Sequence, residues 1–202
     1  MGAGECAKKQ EKMERKESHK KEQSGRKKSG GSWAIKVFFI AIVLSAVLSF
    51  LSEEALSGAG LVAAFAVLLA FILLGIMFDI IGVAVTAADE RPFHSMAAHK
   101  TPGAREALIL IRKANQVSSF CNDVVGDICG IISGSTAAVI VVRLQSALPW
   151  LPAIILSLSI TALVSGMTIG GKALGKTVAI NRSTAVLQLV GRFLHLFSKR
   201  KR

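Results

Sequence analysis

The sequence predicts an all-α integral membrane protein with four transmembrane helices, a connector helix and a C-terminal juxtamembrane amphipathic helix. Three observations support this fold class. The chain is 51% hydrophobic although its formal net charge is +12, so apolar and charged residues must occupy separate segments. Four apolar segments are long enough to cross a bilayer core of about 30 Å, which takes roughly 20 helical residues. Lys and Arg concentrate between and outside these segments.

Residues 1–32 form a basic tail with ten Lys and Arg residues, five Glu residues and almost no large apolar side chains. Such a segment buries too little apolar surface to offset its chain entropy, so we expect a disordered tail or a frayed helix. It lacks interleaved aromatic residues that would stack on bases, and we expect no nucleic-acid partner. The tail suits a topology signal, an anchor to anionic headgroups or a contact with a cytosolic partner.

The predicted spans are an additional first helix at 33–52 and three helices at 61–86, 119–142 and 150–171, which belong to a domain covering 61–202. The second apolar segment runs on to Ala88, roughly 42 Å of helix, so its end must tilt, break or leave the membrane. If the first segment were a cleaved signal peptide, three spans would remain. The long charged region before it and the lack of a small-residue cleavage site after Leu51 disfavour that alternative.

Two further helices are predicted outside the spans. Within the polar, basic segment 89–116, Thr101 followed by Pro102 is a plausible helix start, leading into a connector helix at 104–114. At the C-terminus, residues 183–198 place Gln188, Arg192 and His195 on one face and apolar side chains on the rest. This pattern predicts an amphipathic helix lying in the headgroup plane.

The distribution of positive charge predicts the orientation. The tail, the segment 89–116 and the C-terminal region hold nearly all the Lys and Arg residues, whereas the two opposite loops hold almost none. Because basic loops stay in the cytoplasm, we expect a multi-pass protein of the cell membrane with both termini cytoplasmic.

Three aspartates lie within the spans. An Asp at the centre of a membrane helix costs about 2.5 to 3.5 kcal/mol on insertion scales, so Asp79, Asp123 and Asp127 need an explanation. Asp123 and Asp127 are one helical turn apart and share a face. Since the second span descends toward the leaflet from which the third rises, all three carboxylates should lie at a similar, shallow depth.

The third span also carries small residues, Gly126, Gly130 and Gly134, at four-residue intervals that allow another helix to approach closely. Ser119 and Asn122 add oxygen atoms near the acidic face. Carboxylate, hydroxyl and amide oxygens are ligands of a hard divalent cation such as Mg²⁺, so the residues indicate a cation site in a helix interface. The alternative is structural pairing, in which Asp79 meets Lys172 and Asp127 is satisfied by Ser or Thr side chains.

Enzymatic activity is not expected. The chain shows no nucleophile and base arrangement, no phosphate-binding glycine loop and no Cys/His zinc spacing. We interpret Cys121 and Cys129 as small apolar side chains and Cys6 as a tail thiol. We assign no role to the three histidines in polar or interfacial segments, His94, His99 and His195.

Several motifs resemble the transmembrane domain of the CNNM/CorC/CorB magnesium and cobalt transport proteins. Residues 78–87, Phe-Asp-Ile-Ile-Gly-Val-Ala-Val-Thr-Ala, are similar to the family's Phe-Ser-x-Ser-Glu-x-Ala-Leu-x-Ser motif. Residues 102–104 match its Gly-Ala-rich connector, and residues 171–182 resemble its Gly-Glu-x-x-Pro-Lys-x-x-Ala-x-Asn segment. The resemblance covers about 61–197 and implies a homodimer that holds a dehydrated Mg²⁺ between helices through Ser, Asn and acidic groups.

The chain also departs from the family pattern. Asp79 stands where the family has Ser, Gly82 and Lys172 stand where it has Glu, and Gly175 stands where it has Pro. We also expect the chain to lack the family's cytoplasmic CBS domains. We therefore expect a CorC/CNNM-like protein that binds or moves Mg²⁺ or Co²⁺ through Asp79, Asp123, Asp127, Asn122 and Ser119. The alternative is a non-transporting membrane scaffold with a degenerate cation site.

Overall fold

The computed structural model describes residues 35–58 and 60–199. Its regular structure over these residues is entirely helical, and four of the helices are long and apolar enough to cross a membrane, which confirms the predicted fold class. The protein is a multi-pass membrane protein whose spans contact the lipid bilayer. The predicted tail 1–32, the first span's opening residue Trp33 and the last three residues of the C-terminal basic cluster lie outside the described residues.

The chain divides into two compact units, residues 1–43 and 44–202, with the boundary inside helix α1, Ile35–Leu56. In the first unit, the rings of Phe38 and Phe39 meet edge to face with centroids 5.7 Å apart. Helix α1 extends four residues beyond the predicted span because Glu53, Glu54, Ala55 and Leu56 are compatible with a helix. The chain then turns at Gly58, whose φ of 70° is left-handed.

The last turns of α1 belong to the second unit. Ser52 and Leu56 are buried there, and the Ser52 hydroxyl lies 3.5 Å from the hydroxyl of Thr136. Arg143 donates a hydrogen bond of 2.8 Å to the backbone carbonyl of Leu56. This bond satisfies one of the carbonyls that a helix C-terminus leaves without an intrahelical partner.

Three long helical segments form the membrane bundle of the second unit. Helix α2 covers Leu61–Ala87 without a break, and helix α7 covers Ala153–Asn181. The third segment runs continuously from Ala114 to Ala147 and consists of helix α5, Ala114–Ser119, a π-helical stretch, Phe120–Gly126, and helix α6, Asp127–Ala147. At 1.5 Å per residue, each segment is about 40 to 50 Å long and exceeds the bilayer core.

The third and fourth spans are longer than the sequence predicts. The third begins five residues before Ser119, and the fourth begins at Ala153 rather than Trp150 but ends ten residues after Gly171. Trp150 lies in the connecting turn, and Pro152 precedes the first residue of α7. Lys172 and Lys176 therefore belong to the helix, since lysine is a good helix former and does not itself end one.

Helix α2 lies at the centre of the bundle and packs against α6 on one side and α7 on the other. Near its first half, small and branched side chains of the three helices form a buried apolar core: Ala64, Leu68, Ile72, Ala137, Ile140, Leu156 and Ile160. A second buried core lies at the opposite end of α2 and includes Val85, Phe93, Leu108, Ala179 and Leu187.

The second core is covered by three short helices, which we call the platform: α3, Glu90–Ala98, α4, Ala104–Arg112, and α8, Ser183–Lys199. Helix α3 was not predicted, although Asp89 caps it by accepting a hydrogen bond of 3.1 Å from the Arg91 amide. The prediction that Thr101 caps the connector helix is wrong. The N-cap is Gly103, whose φ of 87° favours glycine, and α4 ends at Arg112 rather than Ala114.

Candidate functional site

Close contacts at glycines fix the register of the bundle at the platform end. Gly75 lies against Cys129 and Gly82 against Asn122, so α2 and the third segment run antiparallel. Gly171 lies against Ile76 and Gly175 against Ile80, so α2 and α7 run parallel. This register places Asp79, the π-helical stretch and Lys172 at one level, about 27 Å along α2 from its first residue.

Asp79 occupies the part of α2 between its two contact faces. Positions 75 and 82 meet the third segment, whereas positions 76 and 80 meet α7. With 100° between successive residues, position 79 falls between these two faces. Asp79 is partly buried, and this helical phase directs its side chain between the π-helical stretch and α7. We call this region the inner crevice.

Asn122 contributes the most unusual polar atom of the inner crevice. Its Oδ1 is buried and, among the described residues, accepts no hydrogen bond. Its Nδ2 faces the Ser118 hydroxyl at 3.4 Å, a weak hydrogen bond. The carboxamide occupies the space that a side chain on Gly82 would fill. A buried carbonyl oxygen without a donor costs about 1 to 3 kcal/mol, so a donor or a positive charge placed beside it would stabilise the fold.

The π-helical stretch holds Asn122 and Asp123. A π-helix widens the backbone turn and changes the phase of the side chains, and such stretches are frequent at functional sites. Here it joins α5 to α6 without interrupting the 34-residue helix. It aims Asn122 at Gly82 and places Gly126 within reach of the Lys172 side chain of α7.

Lys172 reaches the inner crevice from α7. Its Nζ lies 3.7 Å from the position that a Cβ on Gly126 would take, and the side chain is partly buried. The alternative pairing predicted from the sequence would bring Lys172 to Asp79. Among the described residues, no ion pair within 4.0 Å joins these two side chains.

Asp123 and Asp127 are exposed, and so are Gly130 and Gly134 farther along the same segment. Added Cβ atoms at Gly130 and Gly134 would meet open space. These two glycines line a groove of about 550 Å³ between α6 and α7, together with the hydroxyl-bearing residues Ser133, Ser157, Thr161, Ser165 and Thr168. We call it the outer groove.

The predicted ligands thus fall into two sets at one level of the bundle. Asp79 and Asn122 lie at the inner crevice, whereas Asp123 and Asp127 are exposed, and Ser119 is partly buried on α5. Within residues 35–58 and 60–199, no three Cys, His, Asp or Glu side chains are close enough together to hold a metal ion. A cation in the inner crevice would therefore depend on amide, hydroxyl and water oxygens as well as on a carboxylate.

Two residues near the inner crevice were not predicted as site residues: Ser118, and Gly82, the surface on which Asn122 packs. Gly126 was predicted as a helix-packing glycine, and the Lys172 side chain lies beside it. A glycine in the middle of an apolar helix does signal close approach of another group, and Gly82 carries that signal. His195, to which the sequence assigned no role, lies in the platform with its Nδ1 2.8 Å from the carboxylate of Glu106.

No family model matches the chain, and neither a curated protein nor a solved structure matches it.

Proposed function

We propose that this protein binds a divalent cation, Mg²⁺ or Co²⁺, in the inner crevice, in the manner of a CorC/CNNM-like membrane domain. The observation that carries this proposal is the buried Oδ1 of Asn122, which has no hydrogen-bond donor among the described residues. Carbonyl oxygens are ligands of hard cations, and a bound cation would offset the cost of burying this atom.

Asp79 is the carboxylate best suited to neutralise such an ion, because it lies in the same crevice at the same level. Mg²⁺ gives up its hydration water reluctantly and commonly uses one or two carboxylates with several retained waters. Asn122, Asp79 and the nearby hydroxyls of Ser118 and Ser119 are consistent with that mode of binding. Asp123 and Asp127, exposed at the same level, would raise the local cation concentration at the entrance.

The proposal includes a homodimer formed through the outer groove. Gly130 and Gly134 have open space above them, and the groove is rich in hydroxyl groups. Small and hydroxyl-bearing residues are typical of helix interfaces in membranes, since they allow close approach and interhelical hydrogen bonds. A second copy placed there would also cover the exposed Asp127.

We further propose that the platform and both termini face the cytoplasm of a cell-membrane protein. The platform and the residues that directly follow α3 and α4 carry the basic residues Arg91, Lys100, Arg105, Arg112 and Lys113, whereas the loop at the other end of α6 and α7, residues 148–152, contains none. Positive charge retained on the cytoplasmic side explains this asymmetry. The basic tail could then recruit a cytosolic partner.

The second candidate is a non-transporting membrane scaffold with a degenerate cation site. It is favoured by the lack of a three-carboxylate cluster in the described residues and by the ammonium group of Lys172 beside the π-helical stretch. In this alternative the unpartnered Asn122 carbonyl binds only water, and divalent cations leave the protein unchanged.

A thermal unfolding experiment in detergent micelles separates the two candidates. We expect Mg²⁺ to raise the Tm of the wild-type protein, and we expect Asn122→Ala and Asp79→Asn to abolish most of that rise. Glu90→Gln, which removes an exposed carboxylate of the platform, is the matched control and should leave it intact. If Mg²⁺ and Co²⁺ fail to change the Tm of the wild type, the cation-binding proposal is wrong. Cation uptake into proteoliposomes then distinguishes transport from binding alone.

A further inference from the structure

Lys172 is a charged group at membrane depth whose position needs an explanation. It lies at the level of Asp79 and the π-helical stretch, and it is partly buried, whereas Lys176 one turn later is exposed. The four-carbon stem of a lysine at this depth normally reaches toward the headgroups. The Lys172 ammonium instead lies beside Gly126, where a Cβ would be in ordinary van der Waals contact with it at 3.7 Å.

The ammonium has no neutralising partner within the described part of the chain. It makes no hydrogen bond or ion pair there, although Asp79 is at the same level and Asp123 and Asp127 are carried by the adjacent segment. A partly buried charge without a partner is unfavourable at membrane depth. A structural salt bridge therefore does not account for the position of the Lys172 ammonium.

The inner crevice supplies a reason for this position. On one side it holds the buried, unpartnered Asn122 carbonyl and the partly buried Asp79 carboxylate, both of which attract a cation. From the α7 side it receives the ammonium of Lys172. A divalent cation and an ammonium repel each other strongly at short range in a medium of low dielectric constant.

We propose that Lys172 is a tethered cation that competes with the divalent cation for the inner crevice and thereby sets its affinity. This inference rests on the proposed function. When the crevice holds a metal ion, the Lys172 side chain swings out toward the headgroups, which its flexible stem permits. When the metal leaves, the ammonium returns to the space beside Gly126. The coupling is reciprocal: the factor by which bound metal favours the outward position of Lys172 equals the factor by which that position tightens metal binding.

Substitutions at position 172 test the competition by titration calorimetry with Mg²⁺ on the purified full-length protein. Lys172→Met keeps the length of the side chain but removes its charge, and we expect its Kd to fall at least tenfold. Lys172→Arg keeps the charge, so its Kd should not fall. Lys176→Met, the matched control on the exposed side of the same helix, should leave the Kd within twofold of the wild type.

The possible results separate this inference from the function on which it rests. If Asn122→Ala abolishes binding while Lys172→Met binds no tighter than Lys176→Met, the competition is refuted and the cation site stands. If neither the wild type nor Lys172→Met binds Mg²⁺ or Co²⁺, both proposals fail. Binding by Lys172→Met but not by the wild type would show that the ammonium excludes the cation, so that the competition is supported while the proposed function of the wild-type protein fails.

A second measurement requires no substitution and reports on the side chain itself. A water-soluble amine-acylating reagent, read out by peptide mass spectrometry, compares the labelling of Lys172 with that of Lys176 in the same molecule. We expect saturating Mg²⁺ to raise the ratio of Lys172 labelling to Lys176 labelling at least threefold, because the displaced Lys172 ammonium becomes accessible to the reagent. An unchanged or smaller ratio at saturating Mg²⁺ would contradict the displacement.

Discussion

The carboxamide of Asn122 occupies the space that a side chain on Gly82 would fill. This contact joins the π-helical stretch to α2 and holds the unpartnered Oδ1 in the inner crevice. We predict that Gly82→Ala lowers the Tm modestly, by an amount equivalent to about 1 kcal/mol, because the end of the Asn122 side chain must move but can do so. Thermal unfolding followed by circular dichroism measures this change.

Gly170→Ala is the control for that substitution, since its added methyl group on α7 meets open space and Gly170 does not line the outer groove. It should leave the Tm of the monomer unchanged or slightly raised, as Ala favours a helix more than Gly does. Equal effects of the two substitutions would show that Asn122 does not pack on Gly82.

The platform depends on a backbone contact between Gly191 of α8 and Gly103 of α4. A methyl group on Gly191 would overlap the Gly103 carbonyl, and the backbone cannot yield as a side chain does. We predict that Gly191→Ala lowers stability by about 2 to 3 kcal/mol, more than Gly82→Ala, and makes α8 accessible to proteolysis. A Tm decrease no larger than that of Gly82→Ala would contradict the docking of α8 on α4.

The contact between Glu106 and His195 predicts a dependence on pH. Burial alone would raise the pKa of Glu106, but the hydrogen bond and charge of His195, with smaller contributions from the Glu106 amide and Arg105, outweigh burial and hold the pKa below its ordinary value. A carboxyl with a lowered pKa stabilises the fold above its unfolded pKa, and this contribution is lost as the pH falls through the folded pKa.

We therefore predict that Glu106→Gln lowers stability by about 0.5 to 1 kcal/mol at pH 7, a small value because both side chains are partly exposed. The difference from the wild type should be lost as the pH falls below the ordinary glutamate pKa and through the lowered pKa of Glu106. Unfolding at a series of pH values measures this, with Glu90→Gln as the control, since Glu90 and His94 form an exposed pair with 3.4 Å between nitrogen and oxygen. A difference that grows as the pH falls below the ordinary glutamate pKa would contradict the assigned sign.

The docking of the last turns of α1 is tested by a disulfide between positions 52 and 136. The two hydroxyl oxygens are 3.5 Å apart and buried, so Ser52→Cys with Thr136→Cys should oxidise readily in a background whose three native cysteines are alanine. Blocked labelling by a maleimide polymer detects the bond. Ser52→Cys with Ser135→Cys, whose second position is exposed on another face of α6, should remain reduced.

The sequence was sufficient to predict four spans, because an unbroken apolar run of about 20 residues has few alternatives in a folded protein. The residues at which the helices begin and end were less predictable. Lys172 and Lys176 mark where the sequence turns polar, but a long side chain can reach water from inside a helix, so α7 continues to Asn181. The start of α4 depends on a left-handed Gly103 packed on α8, a tertiary contact that no local pattern contains.

The sequence was sufficient to predict the depth of the candidate site residues in the bundle, but not which face of each helix meets which neighbour. Antiparallel spans dictate that Asp79, Asp123 and Asp127 lie at one depth, and the glycine contacts agree with this. Which face of each helix meets which neighbour depends on packing, and the π-helical stretch shifts the phase at Asn122. Asp123 and Asp127 are therefore exposed, whereas Asn122 is held in the inner crevice.

The central claim is that Asn122 and Asp79 hold a divalent cation in the inner crevice. Anomalous diffraction from crystals of the full-length protein grown with Co²⁺ tests it most directly. The account predicts a Co²⁺ peak within about 2.1 Å of the Asn122 Oδ1, with Asp79 as a direct or water-mediated ligand, as expected for a small hard divalent ion. A crevice without such a peak, or Co²⁺ bound only at the exposed carboxylates of Asp123 and Asp127, would contradict it.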